Sequence, residues 1–177
     1  MVRAVPLPPR GGDPRGARAR GPRLILREAT AADATQLAEC RWLSSVEEEE
    51  EPRVARDEFE RRFRAFVGRA LASGRWTVFV AEDASRIVAT TYVQEIERVP
   101  RPRDRVGPWG YVTGVFTRPE ARNAGVGRRL LDHVIAWAKA RPLHLLLLWP
   151  SERSVPFYRR AGFVGSPEAH ELAFTED

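Results

Sequence analysis

The sequence predicts one α/β domain, with a mixed, mostly antiparallel central sheet flanked by helices. Three observations carry this. Segments rich in β-branched and aromatic residues alternate with segments whose apolar residues recur at helical spacing. Gly or Pro stands where one pattern gives way to the next, as at Gly74, Pro142 and Gly162. A hydrophobic share of 43% in 177 residues suffices for the core of a single domain.

LILREA (24–29) alternates apolar and polar residues and reads as the first strand. Thr30 and Asp33 form a capping-box pattern for a helix reaching about Leu43. VEEEEEP follows, an acidic connection ended by Pro52 that is a solvated face or the rim of a site for a cation. From Val54 to Ser73, Phe59, Phe63, Phe66, Val67, Ala70 and Leu71 mark the buried side of a second helix. WTVFVAED (76–83) and IVATTYVQEIE (87–97) are two antiparallel strands joined at Ala84, Ser85 and Arg86. PRPRDRVGPWG (100–110) is a loop by composition, and YVTGVFT (111–117) is a strand. Asn123 to Ala140 is a helix with Val126, Leu130, Leu131, Val134, Ile135 and Ala138 on one face. LHLLLLW (143–149) lacks polar alternation and reads as a central strand covered on both sides. A short helix over 154–161 and two strands, FVG and HELAF, complete the order.

Charge and cysteine content exclude several classes. Most of the net charge of +5 lies in residues 1–21, where Arg3, Arg10, Arg15, Arg18 and Arg20 face Asp13 alone. That stretch is rich in Pro and Gly and is expected to be a disordered tail, so the folded domain occupies 22–177 and nucleic acid is not an expected partner. Deleting 1–21 should leave ligand binding intact. No apolar run approaches the roughly 20 residues of a membrane span, which points to a cytoplasmic protein with no membrane partner. With Cys40 alone and three scattered histidines there is no ligand spacing for a metal.

The stretch RNAGVGRRLL (122–131) carries the chemistry. A strand runs through a short loop into a helix, with Gly125 and Gly127 at its start. Free N–H groups and the helix dipole make such an end an anion site, and Arg122, Arg128 and Arg129 add charge, so a pyrophosphate is the natural guest. A P-loop would need Lys and Ser or Thr where Arg128 and Arg129 stand, and a dinucleotide fingerprint needs glycine where Leu130 stands. Spacing alone leaves another reading open, in which the glycines let the helix approach the strand closely.

At these residues the chain resembles the GCN5-related N-acetyltransferase (GNAT) superfamily, whose acetyl-CoA loop, Arg/Gln-x-x-Gly-x-Gly/Ala, is matched from Arg122 to Gly127. LREATAADATQLA, GVFTRPEAR, LLLLW and SVPFYRRAGF extend the likeness over about residues 23–174. The resemblance implies a GNAT-like fold, makes 22–177 an N-acetyltransferase domain, and implies acetyl-CoA as cosubstrate, a primary amine as acceptor and no metal. It implies that Val115, Phe116 and Thr117 pair with the pantetheine arm, and that Arg122, Asn123, Ala124, Gly125, Val126, Gly127 and Arg128 hold the pyrophosphate. It also implies direct attack in a ternary complex: an N–H at Val115 or Phe116 serves the developing oxyanion, and Tyr158 protonates the departing thiolate. Glu82, Glu95 and Glu97 are candidates for deprotonating the amine, with Glu95 ranked first. Ser151 stands where many relatives carry Asn. Trp42, the 47–51 acidic run, Tyr92, Trp109 and Tyr111 are expected on the substrate side. A homodimer is compatible with the sequence. The alternative reading is an acyl-CoA-binding sensor that lacks a base.

Overall fold

A computed structural model of the protein describes residues 24–47, 52–100, 102 and 107–166. Among them five strands form one sheet in the order β1 (Ile25–Glu28), β2 (Trp76–Asp83), β3 (Arg86–Ile96), β4 (Trp109–Thr117), β5 (Leu145–Leu147). Pairing is antiparallel from β1 to β4 and parallel between β4 and β5. The helices are α1 (Ala34–Glu47), α2 (Arg56–Ala72), α3 (Val126–Lys139) and α4 (Val155–Arg160).

The sheet separates two cores because β-strand side chains alternate between faces. Val78, Val80, Ile87 and Tyr92 meet Leu37 and Cys40 of α1 and Val67 of α2 on one face. On the other, Phe79, Ala81 and Val93 meet Val126, Leu130 and Val134 of α3. The α2 phenylalanines are packing groups, as expected: Phe63 lies edge-on to Tyr92 at 6.3 Å, and Phe66 edge-on to Trp76 at 5.4 Å. Cys40 is buried in the same layer. The β2–β3 turn uses Ala84 and Ser85 at φ +46° and +66°, the left-handed pair that matches strand twist in a two-residue hairpin.

The Thr30–Asp33 capping box is present, and Asp33 does more than cap. Its carboxylate accepts from both Arg27 guanidinium nitrogens at 2.8 Å and from the Thr30 N–H at 2.7 Å. The Arg27 hydrogen bond is the main cause that holds its pKa down at about 2. A carboxyl lowered from its ordinary value near 3.8 contributes stability above that value and loses it as pH falls through the folded pKa. Asp33→Asn should therefore cost about 2 kcal/mol at pH 7 and much less near pH 2, read by urea denaturation at both. Equal losses would show that the carboxylate's charge is not what stabilises.

The structure departs from expectation in several places. LHLLLLW shortens to the three residues of β5, which among the described residues pairs with β4, with Leu145 40% exposed. The apolar run is longer than the strand it forms, and β4 takes its second partner for only three register pairs. FVG (163–165) is irregular, while HELAF lies outside the described residues. The first helix continues past Leu43 to Glu47, and the rest of the acidic run lies outside the described residues. No described helix is long and apolar enough to cross a membrane.

Candidate active site

The predicted glycine turn sits where β4 is delivered into α3, and two buried links fix that delivery. Arg118, 1% exposed, donates to the Ile87 carbonyl at 2.8 Å and forks onto Glu39 of α1 at 2.8 and 3.2 Å. This pairing holds the Glu39 carboxyl below its usual range. The Arg118 N–H in turn donates to the Val88 carbonyl at 2.9 Å, so the end of β4 is fastened to β3 and α1. Sequence reasoning missed this pair because its partners lie 79 residues apart.

Beyond Arg118 the chain turns through Asn123 (φ +60°) and Gly125 (φ +75°), which is the N-cap of α3. No side chain caps the helix, and its first ladder bond runs from the Arg129 N–H to the Gly125 carbonyl at 3.0 Å. The amides of Val126, Gly127 and Arg128 therefore precede the ladder and point out of the helix end. A β-carbon built on Gly125 meets nothing within 4 Å, so the turn is open on that side. One on Gly127 would fall 2.8 Å from Thr117 Oγ1. The two readings left open by the sequence thus divide between the glycines. Gly125 shapes an open anion cradle, and Gly127 allows close approach of α3 to β4.

The arginines around the turn differ in what they do. Arg122 donates from Nε to the Thr117 carbonyl at 2.9 Å, pairs with Glu47 of α1 and lies over the Phe116 ring at 5.9 Å. Arg128 is held by Asp132 at 2.8 Å and donates to the Arg160 carbonyl of α4 at 2.7 Å. Both side chains brace the turn, while Arg129 is exposed. The Glu47 carboxylate, expected on an acidic rim, is engaged by this bracing.

The strand edge before the turn is also open. β4 pairs with β5 only from Trp109 to Tyr111, so among the described residues Val112–Thr117 have no strand on that side. A bulge interrupts β4: Gly114 and Val115 lie opposite Thr91 alone, with Gly114 at φ +55°.

Tyr158 is brought to this region by α4, which the Arg128–Arg160 bond and Phe157 tie to the start of α3. The Phe157 ring tip lies 4.0 Å from the β-carbon position of Gly127. Tyr158 packs against Phe157 and Phe163 with centroids at 5.1 and 5.8 Å, and burial pushes its phenol up to about 12. Ser151 donates to Ser154 Oγ at 3.1 Å and starts the turn leading into α4.

Each of the three carboxylate candidates has an arginine neighbour. Glu82 is held by Arg27 at 2.5 and 2.8 Å. Glu97 is largely exposed, 4.0 Å from Arg75. Glu95, opposite Gly110 in the β3–β4 register, lies 3.9 Å from Arg141 just past the end of α3. Arg141 follows the C-terminal end of α3, whereas the glycine turn is at its N-terminal end. Of the expected substrate-side aromatics, Tyr92 is instead buried under α1 and α2, Trp109 stacks with Arg98 at 5.0 Å, and Tyr111 lies edge-on to Trp149. Trp42 and Phe59 line a groove between α1 and α2 with Val46 and Val54. Among the described residues no cluster of His, Cys, Asp and Glu could hold a metal.

A family model described as Acetyltransferase (GNAT) family matches residues 34–163. A glucosamine 6-phosphate N-acetyltransferase from Trypanosoma brucei brucei is 29% identical over 94 residues, spanning 53% of this chain and 59% of that protein. A predicted acetyltransferase from Clostridium acetobutylicum, solved with acetyl-CoA, superposes with a TM-score of 0.73 at 27% identity, covering 85% of this chain and 96% of that one. The glucosamine-6-phosphate N-acetyltransferase of Arabidopsis thaliana shares the fold at 18% identity, with a TM-score of 0.64 over 86% of this chain and 99% of that one. With its motif, its sheet and these likenesses in agreement, the chain belongs to the acetyltransferase (GNAT) family.

Proposed function

We propose that the protein is an acetyl-CoA-dependent N-acetyltransferase that passes the acetyl group directly to a primary amine in a ternary complex. The observation that carries this is the uncapped start of α3 placed directly after an edge of β4 that is unpaired among the described residues. The open turn suits a diphosphate, which the amides from Asn123 to Arg128 would hold, with Arg122 and Arg128 bracing the turn from behind. The exposed edge at Val115, Phe116 and Thr117 suits an amide-containing arm that continues the sheet by one strand. When bound, acetyl-CoA supplies an activated thioester.

Tyr158 keeps its proton throughout the neutral range and so has one to give to the thiolate; its burial also keeps that end of the site dry. Glu95 is the proposed base, acting through a chain of waters, since it stands opposite Gly110, five positions along β4 from Val115. It is partly shielded and only loosely paired, whereas Glu82 is tightly bound by Arg27 and Glu97 is largely solvated. An extended arm running back along β4 from the turn heads toward the end of the sheet where Glu95 stands.

The test is a thermal-shift titration with CoA, followed by free-thiol release from acetyl-CoA across a panel of primary amines. A stabilising shift with turnover on at least one amine is expected. A shift without turnover on any would favour the sensor reading, and no shift would remove both.

A further inference from the structure

Gly114 is held from one side by two residues of β3. Thr90 donates from Oγ1 to the Gly114 carbonyl at 3.0 Å, and a β-carbon built on Gly114 would fall 2.6 Å from Cδ2 of the Tyr92 ring. Thr90 and Tyr92, two positions apart, share the α1–α2 face of the sheet. Both are buried, at 2% and 4% exposure, so neither can be recruited by solvent for another purpose. At φ +55° Gly114 occupies the left-handed region, which ordinary residues enter at a cost of roughly 1–2 kcal/mol. The ring excludes any side chain there, and the hydroxyl fixes the direction of the peptide that follows.

That peptide belongs to Val115. A bulge rotates the backbone out of the ladder, so an N–H that would otherwise bond along the sheet can be turned toward a ligand at the edge. The edge at this point has no strand beside it among the described residues. A lone amide is a weak donor unless it is pre-aimed, and pre-aiming is what a second layer of fixed side chains supplies.

We propose that Thr90 and Tyr92 are positioning residues for acetyl recognition: they lock the Gly114–Val115 bulge so that its amide donates to the thioester carbonyl of the bound donor. This deepens the transferase reading and rests on it. Neither residue touches the reacting atoms. The hydroxyl clamps the bulge and the ring walls it.

The test reads the carbonyl carbon of [1-¹³C]acetyl-CoA by NMR, with CoA affinity measured alongside by calorimetry. On saturating the parent protein, the resonance should move downfield, as for a carbonyl accepting a hydrogen bond. Thr90→Val keeps the shape and deletes the donor, so the resonance should return most of the way to its free position while CoA affinity changes by less than about twofold, since the turn is untouched. Thr90→Ser restores the hydroxyl and should restore the shift. Tyr92→Leu opens the wall and should broaden or return the resonance. A merely structural role would lower the melting temperature without moving the carbonyl signal. A bound-state signal unchanged in both Thr90→Val and Tyr92→Leu, or no downfield movement in a parent that binds CoA, would overturn the proposal while leaving the transferase reading standing. Absence of saturable CoA binding by the parent would remove that reading, and this proposal with it.

Discussion

Gly125→Glu is expected to abolish CoA binding and leave α3 folded. Two physical effects separate cleanly at this position. Sterically, the substitution is tolerated, because nothing lies within 4 Å of the new β-carbon. The left-handed φ of +75° adds a strain of roughly 1–2 kcal/mol, which a packed domain survives. Electrostatically, it places a carboxylate ahead of the free amides, where it satisfies them and repels the diphosphate. Charge-assisted hydrogen bonds contribute about 1.5–3 kcal/mol each, so losing two or more weakens binding at least 10²-fold. Calorimetry should detect no CoA binding while the far-ultraviolet circular dichroism matches the parent. Gly125→Ala is the control: it carries the same strain without the charge and should retain most of the affinity. If the Glu variant binds CoA as the parent does, the turn is not the cradle.

Tyr158→Phe should depress acetyl transfer by about 10²-fold while acetyl-CoA binding stays nearly unchanged, within the range for a lost general acid. Phenylalanine preserves the ring contacts with Phe157 and Phe163, so packing is not what the substitution tests. The raised phenol makes the prediction more specific. With its proton retained to about pH 12, Tyr158 should impose no alkaline fall in kcat below that range, so any fall near pH 10 would have to come from another group. Unchanged turnover in Tyr158→Phe would take the residue out of the chemistry and leave it a packing aromatic.

What the sequence could show was set by how local each signal is. The capping box at Thr30 and Asp33, the α2 phenylalanines and the glycine-rich start of α3 are written in residues a few positions apart, and each was legible. The short length of β5 was not, since the apolar run of LHLLLLW continues on both sides of the three residues that pair. Arginine partners were also illegible. Nothing near Arg118 announces Glu39, and nothing near Arg122 announces Glu47, yet these pairs decide that Arg118 is buried and that Arg122 braces the turn. The bulge at Gly114 fell between the two cases. YVTGVFT shows a glycine inside a strand, a recognised bulge signal, but its clamp by Thr90 depends on a register that only the folded sheet defines.

On the proposed reading, the peptide N–H groups at the start of α3 hold the diphosphate of coenzyme A. A ¹⁵N–¹H correlation spectrum recorded during CoA titration reads those donors one by one. Saturable shifts are expected, concentrated on the amides of Asn123 through Arg128, with Gly125 and Gly127 among the largest. Saturable binding that leaves this group unmoved, with the shifts gathered elsewhere, would contradict it.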